Sequence, residues 1–175
     1  GGAADKRQRS ARCVRFTTAP LAAAPGVRPT LMANERRIAT YRRELGRIFG
    51  RPLSTRDGVT ESRLRRAEKR LGIALPSAVR EFYSVAGAAR ETREHNRLYW
   101  PEELLVEQGY LVFMEENQAV VDWAVSLGAR PKADPEVWQR ANEDDAPWYS
   151  EEMTFGEFIL KNLAWQRGVD GPQIS

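Results

Sequence analysis

One cysteine and one histidine in 175 residues remove most nucleophilic and metal chemistry from this chain at the outset. Cys13 stands alone, so no intrachain disulfide can form, and a reducing compartment, the cytoplasm, is the expected location. His95 lies about eighty residues from Cys13 in a charged stretch, which leaves no Cys–His nucleophilic pair and no His/Cys set with zinc-ligand spacing. Long apolar runs are missing as well. Nothing approaches the ~20 residues that a membrane-spanning helix needs, and segments 110–114 and 119–127 are strand-sized or broken by charge. Nor is there a phosphate loop: Gly46-Arg-Ile-Phe-Gly50 lacks the Lys-Ser/Thr ending and the preceding strand. Carboxylates are the remaining catalytic option, in Glu115-Glu116 and in Glu143-Asp144-Asp145. Adjacent carboxylates in turns are solvated and lack the burial that raises a catalytic pKa. The expectation is therefore no enzyme, no cofactor and no metal.

Acidic residues are also scarce at one end, and this shapes the charge of the whole. Before residue 32, Asp5 faces six basic residues. Residues 35–97 carry sixteen basic and eight acidic side chains, whereas residues 98–175 carry five and fifteen, so a net charge of +3 conceals a strong dipole. Such a field steers an oppositely charged partner. Residues 1–31, rich in Ala, Arg, Thr and Pro without periodicity, read as a disordered basic tail. They lack the apolar core of a secretory signal. Residues 32–170 read as one domain, and 171–175 as a short C-terminal tail.

Within that domain, Asn34 is positioned to cap a helix with Ile38, Tyr41, Leu45, Ile48 and Phe49 on one face, stopped by Gly50 and Pro52. A polar linker, 51–59, follows. Thr60 then caps a helix bearing Leu64, Ala67 and Leu71. Gly72 ends it, and Pro76 opens another whose stripe is Val79, Phe82, Tyr83 and Ala86, with Gly87 as the stop. Residues 88–96 read as a charged, mobile loop. After residue 97 the texture changes to short aromatic and β-branched segments, at 98–100, 110–114, 119–127 and 136–140. Residues 115–118 form the turn of a hairpin, with Asn117 the residue suited to unusual backbone angles. Thr154 and Glu157 make a capping box for a last helix carrying Phe155, Phe158, Ile159, Leu163 and Trp165. The fold class is α+β: N-terminal helices, a small, mostly antiparallel sheet, and a closing C-terminal helix.

The run Leu75-Pro76-x-x-Val79-Arg80-x-Phe82-Tyr83, ending at Gly87, resembles the hallmark of the SUKH superfamily. Three later pieces resemble that family in the same order: 98–104 (LYWPEEL), 109–123 (GYLVFMEENQAVVDW), and Val137-Trp138 followed by Trp148 and Thr154-Phe155-x-x-Phe158-Ile159. The superfamily includes fungal cell-wall-assembly regulators and bacterial immunity proteins. The resemblance implies a non-enzymatic protein-binding domain that neutralises a cognate toxin, often a nuclease or another basic nucleic-acid-modifying enzyme. Its acidic, aromatic second half is the surface for such a partner, with Glu115, Glu116, Asp122, Glu143, Asp144 and Asp145 supplying charge and Asn117 and Gln118 supplying hydrogen bonds. Trp123 reads as core. Two alternatives remain. One is a scaffold or regulatory module of signalling or cell-envelope assembly. The other is a nucleic-acid-associated factor using the tail and the helix bearing Arg63, Arg65, Arg66, Lys69 and Arg70, although no aromatic platform is interleaved there. Nucleic acid is not expected as a partner except through the tail, and a membrane is not expected at all.

Overall fold

The computed structural model describes residues 27–172 apart from Pro131 and Asp144, so the tail before residue 27, Cys13 and residues 173–175 lie outside it. The first helix, α1 (Val27–Phe49), buries Tyr41, Leu45, Ile48 and Phe49 as its spacing requires. It begins seven residues before Asn34, so Asn34 is not its cap and the boundary drawn at residue 32 falls inside a helix. Pro29 sits in the first turn, where no N–H is needed for the helical ladder. Next come α2 (Glu61–Leu71) and α3 (Ser77–Ala86). Gly72 closes α2 in the left-handed region. Thr60 precedes α2 without a side-chain cap bond, and Pro76 occupies the cap position of α3 rather than its first helical residue. Gly87 ends α3 in right-handed geometry. A side chain is excluded there by space, since an added Cβ would lie 2.8 Å from the Tyr83 carbonyl oxygen.

Two segments expected to be loose are pinned. Within 51–59, a 3-10 turn spans Thr55–Asp57, and Arg51 donates to Asp57 at 2.7 Å and to Glu91 at 2.8 Å. Glu91 belongs to a second 3-10 turn, Arg90–Arg93, inside the 88–96 segment, where Glu91, Thr92 and Asn96 are buried. Arg93 lies 3.5 Å over the Trp100 ring and donates to the Gly87 carbonyl at 2.9 Å. One guanidinium thus joins the end of α1 to both turns. Gly58 sits where this layer meets α3, and any Cβ there would come within 2.0 Å of the Ser84 carbonyl oxygen.

Six strands follow, all antiparallel: β1 (Arg97–Leu98), β2 (Leu105–Glu107), β3 (Tyr110–Glu115), β4 (Val121–Ser126), β5 (Glu136–Ala141) and β6 (Tyr149–Thr154). The order is β1-β3-β4-β5-β6, with β2 also paired to β3. The chain is an α+β protein. A final helix, α4 (Phe155–Gln166), opens with the expected box: the Thr154 hydroxyl accepts from Glu157 N–H, and the Glu157 carboxylate accepts from Thr154 N–H at 3.1 Å. Thr154→Ala is expected to cost about 1 kcal/mol, read as a shifted urea midpoint.

Helices cover one face of the sheet. Phe82 of α3 meets Tyr41 of α1 edge-on at 5.6 Å and Phe155 of α4 at 5.7 Å. Phe155 meets Phe113 of β3 at 5.1 Å, and Phe158 meets Trp123 of β4 at 5.7 Å. Trp123 is core, as expected, and its indole N–H donates to Glu151 at 2.8 Å. Alternation sends Tyr110, Ala124, Trp138 and Arg140 to the other face. There Tyr110 stacks on Trp148 at 4.7 Å and meets Trp138 edge-on at 5.7 Å. Arg140 of β5 bonds Glu107 of β2, although β3 and β4 lie between those strands. In a flat sheet three strand spacings, about 14 Å in all, together with the five residues along β3 from Glu115 at the Arg140 level to Tyr110 opposite Glu107, would hold the pair apart, so the sheet curls, with this second face on its concave side. Among the described residues, no helix is long and apolar enough to cross a membrane.

Candidate protein-interaction site

Strand register decides which of the candidate residues can act together. β3 ends at Glu115 and β4 begins at Val121. Val121 faces Ala141, the last residue of β5, and β6 begins at Tyr149 opposite Gln139. The β3–β4 turn and the β5–β6 loop therefore share one end of the sheet. Asn142 ties them together: its backbone N–H donates to Val120 O at 2.9 Å and its side chain to Ala119 O at 3.1 Å. Two acidic segments more than twenty residues apart in the chain become one surface.

Not every candidate belongs to it in the same way. Glu116 caps the turn by accepting from Gln118 N–H at 2.8 Å, and Gln118 is exposed. Asn117 donates its backbone N–H to Asn96 at 3.3 Å and lays its amide against the His95 ring at 3.3 Å. The residue taking the unusual backbone angle is Ala119, with φ 57°, and not Asn117. Glu115 is largely enclosed and paired with Arg97 at 2.9 Å. Glu143 and Asp145 are exposed in the loop, and Asp144 lies outside the described residues. Asp122 must be corrected. It is buried on the concave face, 3.6 Å from Arg140, and does not contribute to an open acidic patch. Burial pushes its carboxyl above the usual range, with Arg140 opposing.

The fold adds residues that sequence reasoning did not place here. Trp165 is 69% exposed and meets the edge of His95 at 5.5 Å, beside Asn117. Val120 in the turn and Tyr149 at the head of β6 are also exposed, at 56% and 61%. Helical spacing puts Trp165 two turns from Phe158 on the same side of α4, which signals core rather than surface. Carboxylates and exposed aromatic and aliphatic side chains at this end supply charge for steering and rings for contact.

The opposite charge pole is largely spent on internal bonds. Arg63 pairs with Glu102 at 2.7 Å, Arg65 with Glu61 at 2.7 Å, and Arg70 donates to the Pro101 and Leu104 carbonyls. Elsewhere, a groove of about 550 Å³ runs between the α2–α3 corner and the β4–β5 loop, lined by Leu75, Pro76, Leu127 and Lys132. It lies at the other end of the strands from the acidic surface.

What these features define is a class: an α+β domain presenting an acidic, aromatic end of its sheet. No protein-family model matches the chain, and no curated protein matches it.

Proposed function

We propose that this chain is a non-enzymatic protein-binding domain of the SUKH kind, acting in the cytoplasm as an immunity protein that binds and blocks a basic toxin. The observation that carries the reading is that Asn142 bonds the β5–β6 loop, which bears Glu143 and Asp145, to the β3–β4 turn that bears Glu116, with Trp165 and Tyr149 exposed. The order of the segments resembling SUKH supports it, as does the pairing of Arg63, Arg65 and Arg70, three of the five cations on α2, with Glu102, Glu61 and the Pro101 and Leu104 carbonyls, which leaves that helix fewer free cations for phosphates. In this mechanism the acidic surface stands in for the anionic substrate of a nuclease-type toxin, and the exposed rings supply contact area.

Affinity capture from the native host tests the reading. The wild-type chain is expected to retain a basic protein whose release rises steeply with salt. Glu116→Lys with Glu143→Lys and Asp145→Lys is expected to slow association by roughly 10- to 1,000-fold and to lose that protein. The same triple variant should fail to protect cells that express the captured protein. Capture of an acidic protein, or retention by the charge-reversed variant, refutes the reading. A regulatory scaffold role predicts capture without protection.

A further inference from the structure

At the far end of the strands from the acidic turns, where β4 leaves the sheet and β5 enters it, apolar surface meets charge of the opposite sign. The groove of about 550 Å³ there is walled mainly by Ile73, Leu75, Pro76 and Leu127. Its volume lies within the roughly 300–1,000 Å³ of small-ligand sites. Both of its sides are held in place. Leu75 N–H donates to Glu68 at 3.1 Å, which fixes the α2–α3 corner. Ala78 N–H of α3 donates to Ala133 O at 2.8 Å, and Gly156 N–H of α4 donates to the Asp134 carboxylate at 3.0 Å. Two helices thus tie down the end of the β4–β5 loop.

The groove adjoins a narrower cleft. Ser126, Gly128 and Lys132 line both, and Arg130, Glu136 and Trp138 complete the cleft, whose volume is about 80 Å³. That is room for a head group of a few atoms, roughly two to three waters at about 30 Å³ each. Donors are in surplus here. Arg130 and Lys132 are exposed and form no ion pair among the described residues. The Trp138 indole N–H is buried without an acceptor. The one carboxylate of the cleft, Glu136, already accepts from the Ser150 hydroxyl. The start of α3 has the same sign: Pro76 caps it without a side-chain acceptor, and no acidic residue in its first turn offsets its positive end.

We infer that groove and cleft together bind a small amphipathic carboxylate. Its singly charged head sits in the cleft that Arg130 and Lys132 line, and its apolar body lies along Leu75, Pro76 and Leu127. Charge complementarity selects this occupant. Two cations against Glu136 leave one positive charge, which a carboxylate matches, whereas a phosphate monoester brings about −1.5 to −2 at pH 7. A cationic head would meet Arg130 and Lys132, and a wholly apolar ligand would gain nothing from them. The site stands apart from the acidic end and from the protein-binding reading.

The test titrates the full chain with sodium octanoate while following the indole N–H resonance of Trp138, assigned with Trp138→Phe. Octylammonium supplies the same body with the opposite charge, and acetate supplies the head alone. Octanoate is expected to shift the resonance saturably, and both comparison ligands should bind at least about tenfold more weakly. Arg130→Gln with Lys132→Gln should weaken octanoate roughly tenfold or more, that is, by at least about 1.4 kcal/mol. Both side chains are exposed, so this variant keeps the fold. The control Arg42→Gln with Arg56→Gln removes the same charge from exposed positions that do not line the groove, and should leave affinity within about twofold. Ala74→Phe sets a ring in the groove from an exposed position in its wall and should abolish binding. Octylammonium binding as tightly as octanoate, equal weakening by the control, unchanged affinity in Ala74→Phe, or no saturable shift at millimolar octanoate overturns the inference. Capture or loss of a basic protein partner bears on the acidic end alone.

Discussion

Phe82→Ala is expected to remove about 3–5 kcal/mol of stability, a large share of what a domain this size possesses. Phe82 is fully buried and is the ring that three helices share: it meets Tyr41 of α1, its neighbour Tyr83, and Phe155 of α4, and through Phe155 it reaches Phe113 in the sheet. Truncation loses the transfer free energy of the ring and leaves a void that flanking rings from separate elements cannot close together. Phe82→Leu fills most of that volume and should cost considerably less, so the pair separates the void from the loss of the ring's edge-on aromatic contacts. Urea unfolding is the measurement, with a lower midpoint and an unchanged slope expected. A loss for Phe82→Ala no greater than that for Phe82→Leu would show that the helical layer collapses to fill the gap.

Arg51→Ala is the second large effect, expected at about 3 kcal/mol. Arg51 spans Asp57 and Glu91 with four donor contacts between 2.7 and 3.1 Å. Both carboxylates are buried, and without the guanidinium they remain so, as unpaired charges. Partial exposure of Arg51 itself holds the figure near the low end for a buried pair. The pH dependence carries a sign that a packing defect would not. The Arg51 hydrogen bonds hold the Asp57 carboxyl down, to about 2 from an ordinary 3.8. A depressed carboxyl contributes stability above its unfolded pKa, and that contribution is lost as pH falls from about 4 through about 2. In the variant the Arg51 hydrogen bonds are gone and burial opposes the two Ser54 hydrogen bonds that remain, so the depression of the Asp57 carboxyl, and the stability tied to it, is smaller. The gap between wild type and variant should therefore shrink below about pH 4. A gap constant from pH 7 to pH 2 would assign the loss to packing alone.

Much of the fold is legible in local pattern, and the exceptions share a cause. The burial stripes of α1 and α3, the box at Thr154 and Glu157, and the β3–β4 hairpin each rest on contacts within one or two turns of the chain. β6 does not. Its sequence, Tyr-Ser-Glu-Glu-Met-Thr, is polar, and it is a strand because β5 offers an edge and because an edge strand keeps one side in water. The 51–59 and 88–96 segments looked loose because their order comes from one arginine bonded to a residue forty positions away.

The candidate site divides along the same line. Composition and order along the chain establish that acid and aromatic residues concentrate after residue 97, and that the hairpin turn and the 143–145 loop carry carboxylates, because these are properties of the linear chain. Whether those carboxylates meet, and which of them reach solvent, depends on strand register and on the curl of the sheet. Register carries the two turns to one end, turns Asp122 inward beneath Arg140, and sets Trp165 in solvent despite its helical spacing. Side-chain alternation fixes only that neighbouring residues in a strand point oppositely; which side is covered by helices is decided when distant segments pack.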